Sequence, residues 1–186
     1  MRSDASTGGY MREKAVYDKI IRRKRLEPTP QSAVSFPCPL VTPCLIPVIH
    51  ASTPLCINVP FMAAGETYLV TSFSLLGPFG AVLVENIDNL DISLHGPLLS
   101  THTLFPLGAD IVFIEIVCKD MIKIRLYEKE KGPVKYSQRG ACAAFVAAVI
   151  LGKSYGSAFV EMGSKICRVE WDGVDGDVRL IEGISS

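Results

Sequence analysis

No stretch of this chain is apolar for long enough to cross a membrane as a helix. The longest candidate follows Gly140 and has about a dozen apolar residues, where a span needs roughly twenty. A secretory leader is not expected either. Met1 is followed by polar and charged residues rather than a short apolar run with a small-residue cleavage site. Net charge is missing too: nineteen Lys/Arg and nineteen Asp/Glu cancel. The chain as a whole therefore has no global attraction to nucleic acid or to acidic surfaces. Six cysteines are present, but none in the tight pairs that structural zinc sites use. Without a leader they read as reduced thiols in a cytosol-like compartment, which places the chain in the cytoplasm.

What is there falls into three regions. Residues 1–31 form a basic polar tail, with a short helix expected over Arg12–Leu26. Its first thirty residues hold eight Lys/Arg against four acids, leaving the remainder correspondingly acidic. The run IIRRKRL offers clustered cations to phosphate or anionic lipid, but a solvated tail is the better reading. Residues 32–61 are apolar yet carry Pro37, Pro39, Pro43, Pro47, Pro54 and Pro60. Proline at that density excludes a helix and removes donors from any central strand. An extended segment that needs a partner surface is expected, and residues 1–60 are not expected to form a compact fold of their own. Here Cys38, Cys44, His50 and Cys56 recur every six residues. That is a legitimate zinc set by type, but its spacing reads as coincidence.

Residues 62–186 become regular. TYLVTSF, AVLVEN, IVFIEIVC and MIKIRLY read as strands, the last two joined at Lys119–Asp120 as a hairpin. Asp88 is a candidate cap for a short helix through LDISLHG. Gly140–Gly152 carries Ala, Val, Phe, Ile and Leu on every face, and a helix apolar all round is buried all round. Gly152 and Lys153 supply its stop. KICRVEW and DVRLI close the chain as strands across the turn DGVDGD. The fold class expected is α+β, a curled and mostly antiparallel sheet wrapped around one buried central helix.

The stretch YEKEKGPVKYSQRGACAAFVAAVILGK raises the functional question. A charged arm runs into a turn, and the turn opens the apolar helix. Helix starts of this kind present unpaired N–H groups to a reactive group or an anion. The turn offers only Ser137, Gln138 and Arg139, and the three histidines, His50, His95 and His102, lie outside it.

The order GPFGAVLVENIDNLDI, GPLLSTHTLFPLGADIVFIEIV, IKIRLYEKEKG, RGACAAFVAAVILGK, CRVEWDGVDGDVRLIEG resembles the C-terminal half of diaminopimelate epimerase, over about residues 66–183. The resemblance implies one half of a fold built from two pseudo-symmetric domains, each a curled sheet around a central helix, with the substrate between them. It implies an isomerase of lysine and peptidoglycan-precursor synthesis that uses no metal or cofactor. One cysteine thiolate removes the α-proton and a thiol of the other domain delivers one to the opposite face. Helix N-termini hold the developing negative charge and lower a thiol's pKa.

Against the family pattern this chain departs at the residues that matter. Glu128 matches the glutamate of Glu-Arg-Gly, and Lys129 replaces the arginine. In Cys-Gly-Thr-Gly-Ala-Cys, Ser137 stands for the reactive cysteine, Gln138 for the glycine and Arg139 for the threonine, while Gly140, Ala141 and Cys142 match. Of the Gly-Asn-Pro-His motif only Gly77 survives, followed by Pro78, Phe79 and Gly80. The substrate-binding asparagine of Phe-Pro-x-Gly-x-Asn has become Asp110. The first domain's Cys-Gly-Asn-Gly is nowhere in the chain, which reads as a diverged and truncated homologue.

Glu128 and Gly140 are therefore the carried-over substrate-binding candidates, and no catalytic residue is assigned, because a hydroxyl at Ser137 is far less acidic than a thiol. Cys142 is expected to be inert packing. Arg139 is expected in solvent, with bidentate pairing to a carboxylate as its functional reading. Three functions stand open: a homologue inactive by itself, an isomerase completed by a second chain, and an interaction module using the basic and Pro-rich region. The partners expected are an amino-acid substrate or a complementary domain, with no nucleic acid, membrane, cofactor or metal.

Overall fold

Alternating Val, Ile, Phe and Leu through the second half of the chain produce strands whose two faces are both covered, and that fixes where the long apolar helix after Ser137 must go. The computed structural model describes residues 32–42, 45, 46, 48, 49 and 56–185, and of 183–185 the backbone alone. The basic tail with its expected helix, and Cys44 and His50 of the six-residue spacing, lie outside the described residues. Among the described residues no cluster of three or more His, Cys, Asp or Glu is placed to hold a metal. None of their helices is long and apolar enough to cross a membrane.

Among the described residues ten strands form one sheet. They are β1 (Ala33–Phe36), β2 (Val59–Ala63), β3 (Glu66–Ser74), β4 (Pro78–Leu83), β5 (Asp110–Cys118), β6 (Met121–Glu128), β7 (Gly132–Val134), β8 (Gly156–Met162), β9 (Lys165–Trp171) and β10 (Val178–Ser185). The order is β1-β10-β9-β8-β6-β5-β4-β3-β2, with β7 paired to β6 off this path. Two neighbouring pairs are parallel, β4 with β5 and β6 with β8. Each needs a crossover. Helix α1 (Ile92–Ser100) lies in the first and helix α2 (Gln138–Ile150) in the second. The fold is α+β, a mostly antiparallel sheet curled around α2.

Helix α2 is the centre of the larger core. Its residues from Gly140 to Ala148 are all buried, against Phe73, Phe79, Val112, Ile124, Leu126, Val160, Val169 and Leu180 from seven strands. Ala-rich helix faces let the sheet approach closely on every side, so the all-round apolar pattern had nowhere to be but inside. At its end the N–H of Lys153 bonds to the Ala148 carbonyl at 2.8 Å and that of Gly152 to Val149 at 2.9 Å. This Schellman stop has Gly152 at φ +65°. On the opposite face of β2–β5, α1 and the 102–109 loop bury Phe61, Val70, Ile92, Leu99, Phe105 and Ile111 in a second cluster.

Some sequence expectations need correction. Asp91, not Asp88, caps α1, its Oδ1 accepting from the N–H groups of Ser93 and Leu94. Asp88 lies upstream, its own N–H donating to Asn86 Oδ1 at 2.9 Å. The helix continues to Ser100 through Pro97. AVLVEN is a strand only to Leu83 and begins earlier, at Pro78, because Phe79 pairs with Asp110 of β5. Strands β2 and β8 were not read from the sequence. Each is paired along its whole length with the strand that follows it, β3 and β9 respectively.

The Pro-rich segment, where described, is extended and docked. Strand β1 pairs with β10, and Leu40 bridges Ser74 by two backbone bonds of 2.9 and 2.8 Å. The compact unit accordingly runs from Ser32 to Ser186.

Candidate functional site

The start of α2 meets three strand ends. Ser137 is the N-cap, extended at φ −152°, ψ 121°, and its Oγ accepts from Gly140 N–H at 3.1 Å. One of the orphan donors of the helix start is thus satisfied by the residue that the resemblance puts at the thiol position. Gly140 is a close-contact position. A Cβ there would fall 2.5 Å from Leu126 Cδ2, so the glycine lets α2 lie against β6 at its first turn. Both of the glycine's features, the missing side chain and the N–H, are engaged within the chain.

Glu128 ends β6 on the face that carries Ile122, Ile124 and Leu126, by the alternation of a strand. Its carboxylate is largely buried and accepts from Lys131 Nζ at 2.6 Å. It is thus paired with a neighbour three residues on.

Arg139 is not in solvent. Its guanidinium donates to the Asp110 carboxylate, lies 4.8 Å over the ring of Phe79 and reaches the Leu76 carbonyl at 3.4 Å. The side chains of Arg139 and Asp110 are only 28% and 8% exposed. Asp110 is the first residue of β5, on the same face as Val112 and Ile114, which face α2. Its other oxygen accepts from Lys129 N–H at 2.9 Å, and Lys129 Nζ donates to the Leu107 carbonyl at 2.9 Å. A Cβ at Gly77, whose φ is +136°, would sit 3.2 Å from Arg139 Nη1. The guanidinium therefore occupies the space next to the surviving glycine of the upstream motif. The exposed side chains of Leu76 and Leu107 stand at the rim, 65% and 68% exposed.

Sequence reasoning missed a second cluster. Glu182 Oε1 accepts from Tyr136 O–H at 2.9 Å and from Gln138 Nε2 at 2.7 Å. These bonds from Gln138 and Tyr136 hold the Glu182 carboxyl below its ordinary 4.5. Lys165 Nζ lies 4.3 Å above the Tyr136 ring. Residues on either side of the cap are thereby tied to β10, across more than forty residues of sequence, a separation that leaves no local signal. Cys142 is fully buried in α2, and burial, then Cys167 nearby, drives its thiol far above the usual range. Cys167 is pushed up to about 12 by burial and by Glu182. Neither thiol is available as a base near neutrality.

A curled sheet around one apolar helix, with Ser137, Arg139, Asp110 and Glu182 gathered where that helix begins, defines an α+β domain. No protein-family model matches the chain. It is 32% identical over 157 residues to the diaminopimelate epimerase of Gloeothece citriformis, covering 84% of this chain and 56% of that protein. Diaminopimelate epimerase 1 of Nostoc sp. is 34% identical over 119 residues, which is 64% of this chain and 43% of that one. Among solved structures, a Bacillus anthracis phenazine biosynthesis protein of the PhzF family shares 15% identity at a TM-score of 0.38, over 55% of this chain and 34% of that one. That likeness is too slight to carry an argument.

The chain is a diverged relative of the diaminopimelate epimerases. It spans about half the length of the curated relatives it matches.

Proposed function

We propose that this chain by itself does not epimerise diaminopimelate or any other amino acid, and that its epimerase-like domain is kept as a binding or partner domain. The observation that carries this reading is the Arg139–Asp110 pair, an ionic contact within the chain at the place where the family binds its substrate. Three further facts support it. Ser137 spends its hydroxyl on the helix start, accepting from Gly140 N–H. No histidine lies in the turn to activate that hydroxyl. Glu128 is engaged by Lys131. Stereoinversion needs a proton acceptor on one face of the α-carbon and a donor on the other, and each lost acid/base group costs about two to four orders of magnitude.

The test is exchange of the α-proton of diaminopimelate in deuterated water, catalysed by the purified chain. Exchange at the buffer rate by the wild type is the expected outcome. Exchange well above buffer that Ser137→Ala abolishes would overturn the reading. A Ser137→Cys, Arg139→Thr, Asp110→Asn triple variant asks whether the pocket reopens once the family residues are restored.

A second reading, an isomerase completed by another polypeptide, draws on one observation. Leu76 and Leu107 expose large apolar side chains beside the helix start, as a surface for a complementary domain would. Measuring the same exchange with a separately expressed first domain of one of these relatives added in excess decides between the two.

A further inference from the structure

We propose that the cleft where β6 parts from β8 and β7 binds a small organic anion, a carboxylate carried on an apolar body. Strand β6 pairs with β8 over residues 121–123 and with β7 over residues 126–128. Ile124 and Arg125 have a partner in neither, and a cleft of about 570 Å³ opens beside them. That volume lies within the range of ligand sites. None of Glu128, Ser137, Arg139, Gly140 and Asp110 lines it, so it is distinct from the start of α2.

Three observations specify the ligand. The first is charge. Arg125, Lys135 and Lys165 line the cleft, and no Asp or Glu does. The carboxyl of Glu182 is held low by the bonds from Gln138 and Tyr136 and then by Lys165, but it is not among the lining groups. Cations gathered without a lining counter-charge raise the local concentration of anions. The second is the form of one cation. Arg125 is half-buried, and its Nη1 donates to the Leu90 carbonyl at 2.6 Å. That bond holds the guanidinium in place, and of its five donors a carboxylate uses two in a parallel fork.

The third is an apolar floor. Ile92, Ile124 and Met162 line the cleft and are all buried. Ile124 and Met162 belong to the core around α2 and Ile92 to the second cluster, so the floor spans the gap between the two. The Tyr136 ring is a fixed wall, with Lys165 Nζ 4.3 Å above it and its O–H donating to Glu182 at 2.9 Å. Inorganic phosphate meets the cations but leaves the floor uncovered, and a neutral molecule covers the floor but leaves the cations unmet. An ionised group on an apolar body answers to both.

The experiment titrates the isotope-labelled full chain with 2-naphthoate. In parallel it uses 2-naphthamide, which has the same rings and no charge, and inorganic phosphate. The readout is the NMR shift of backbone amides. We expect saturable shifts at residues 134–136 and 163–165, with the naphthamide and the phosphate each binding at least about tenfold more weakly. Lys135→Gln combined with Lys165→Gln weakens the naphthoate about tenfold, and both lysines are exposed, so this variant keeps its fold. Arg125→Lys, which keeps the charge and loses the fork, weakens it about fivefold. Equal binding of naphthoate and naphthamide, phosphate binding as tight as that of naphthoate, or naphthoate binding that the double lysine variant leaves unchanged each overturns the proposal. Shifts confined to residues 137–141, or no saturable shift at all, do so too. The lysine variant decides the matter even where Arg125→Lys does not fold.

Discussion

Arg139 and Asp110 pair across twenty-nine residues of sequence, and the resemblance gives each of these positions to an uncharged side chain. A long cation replaces a small hydroxyl and an anion replaces an amide. Either change alone would leave a buried charge without a partner at the start of α2. Together they neutralise each other, and the pair takes up the space beside Gly77 and Phe79.

The pair is expected to be coupled in stability. Arg139→Ala leaves the Asp110 carboxylate buried with only the Lys129 N–H, and should cost about 1–3 kcal/mol. Asp110→Asn should cost less, because an amide needs no counter-ion. The double variant should cost less than the sum of the singles. Urea unfolding through a double-mutant cycle measures this. Strict additivity would mean that the contact contributes nothing.

Ser137 acts as a cap. Ser137→Ala should lower stability by about 1 kcal/mol, and Ser137→Asp should retain it, since a carboxylate accepts from Gly140 N–H equally well. Denaturation midpoints of the two variants settle the point. An alanine variant as stable as the wild type contradicts it.

At Gly140 the contact with Leu126 is too close for a methyl group. Gly140→Ala should destabilise by about 1–3 kcal/mol through overpacking, although alanine favours a helix. Truncating the neighbour in Gly140→Ala, Leu126→Val should recover part of the loss. If the glycine were needed only for a ligand, the single variant would be as stable as the wild type.

Glu182 links stability to pH. Its folded-state pKa is depressed by the bonds from Gln138 and Tyr136. Its contribution is therefore present above the unfolded value near 4.5 and is lost as pH falls through the lower folded value. Thermal midpoints followed downward from neutral pH should decline less steeply below 4.5 in Glu182→Gln than in the wild type. Parallel curves would rule Glu182 out as the linked group.

The thiols should divide by burial. In the native chain Cys38 and Cys118, which are partly exposed, should be alkylated by iodoacetamide well before Cys142 and Cys167. Both of the latter have raised pKa values, with burial as the leading cause. Mass spectrometry of a time course reads the order, and early modification of Cys142 would contradict its place in the core.

Sequence alone determined the elements whose pattern is local. Ala141–Ala148 is apolar on every face, and no surface site accepts such a helix, so its burial in the middle of the sheet followed from the residues themselves. The β5–β6 hairpin across Lys119–Asp120 followed from two long alternating runs. Tertiary structure decided the rest. Strands β2 and β8 exist because β3 and β9 offer unpaired backbone groups to them, a condition set by the partner strand and not by VPFMA or GSAFVEM. Asp91 rather than Asp88 became the cap of α1 because its carboxylate, not that of Asp88, stands where it can accept from the Ser93 and Leu94 N–H groups. Arg139 left solvent because folding brings the first residue of β5 to the first turn of α2. A charge pair of that kind depends on distance in space, which no spacing along the chain encodes.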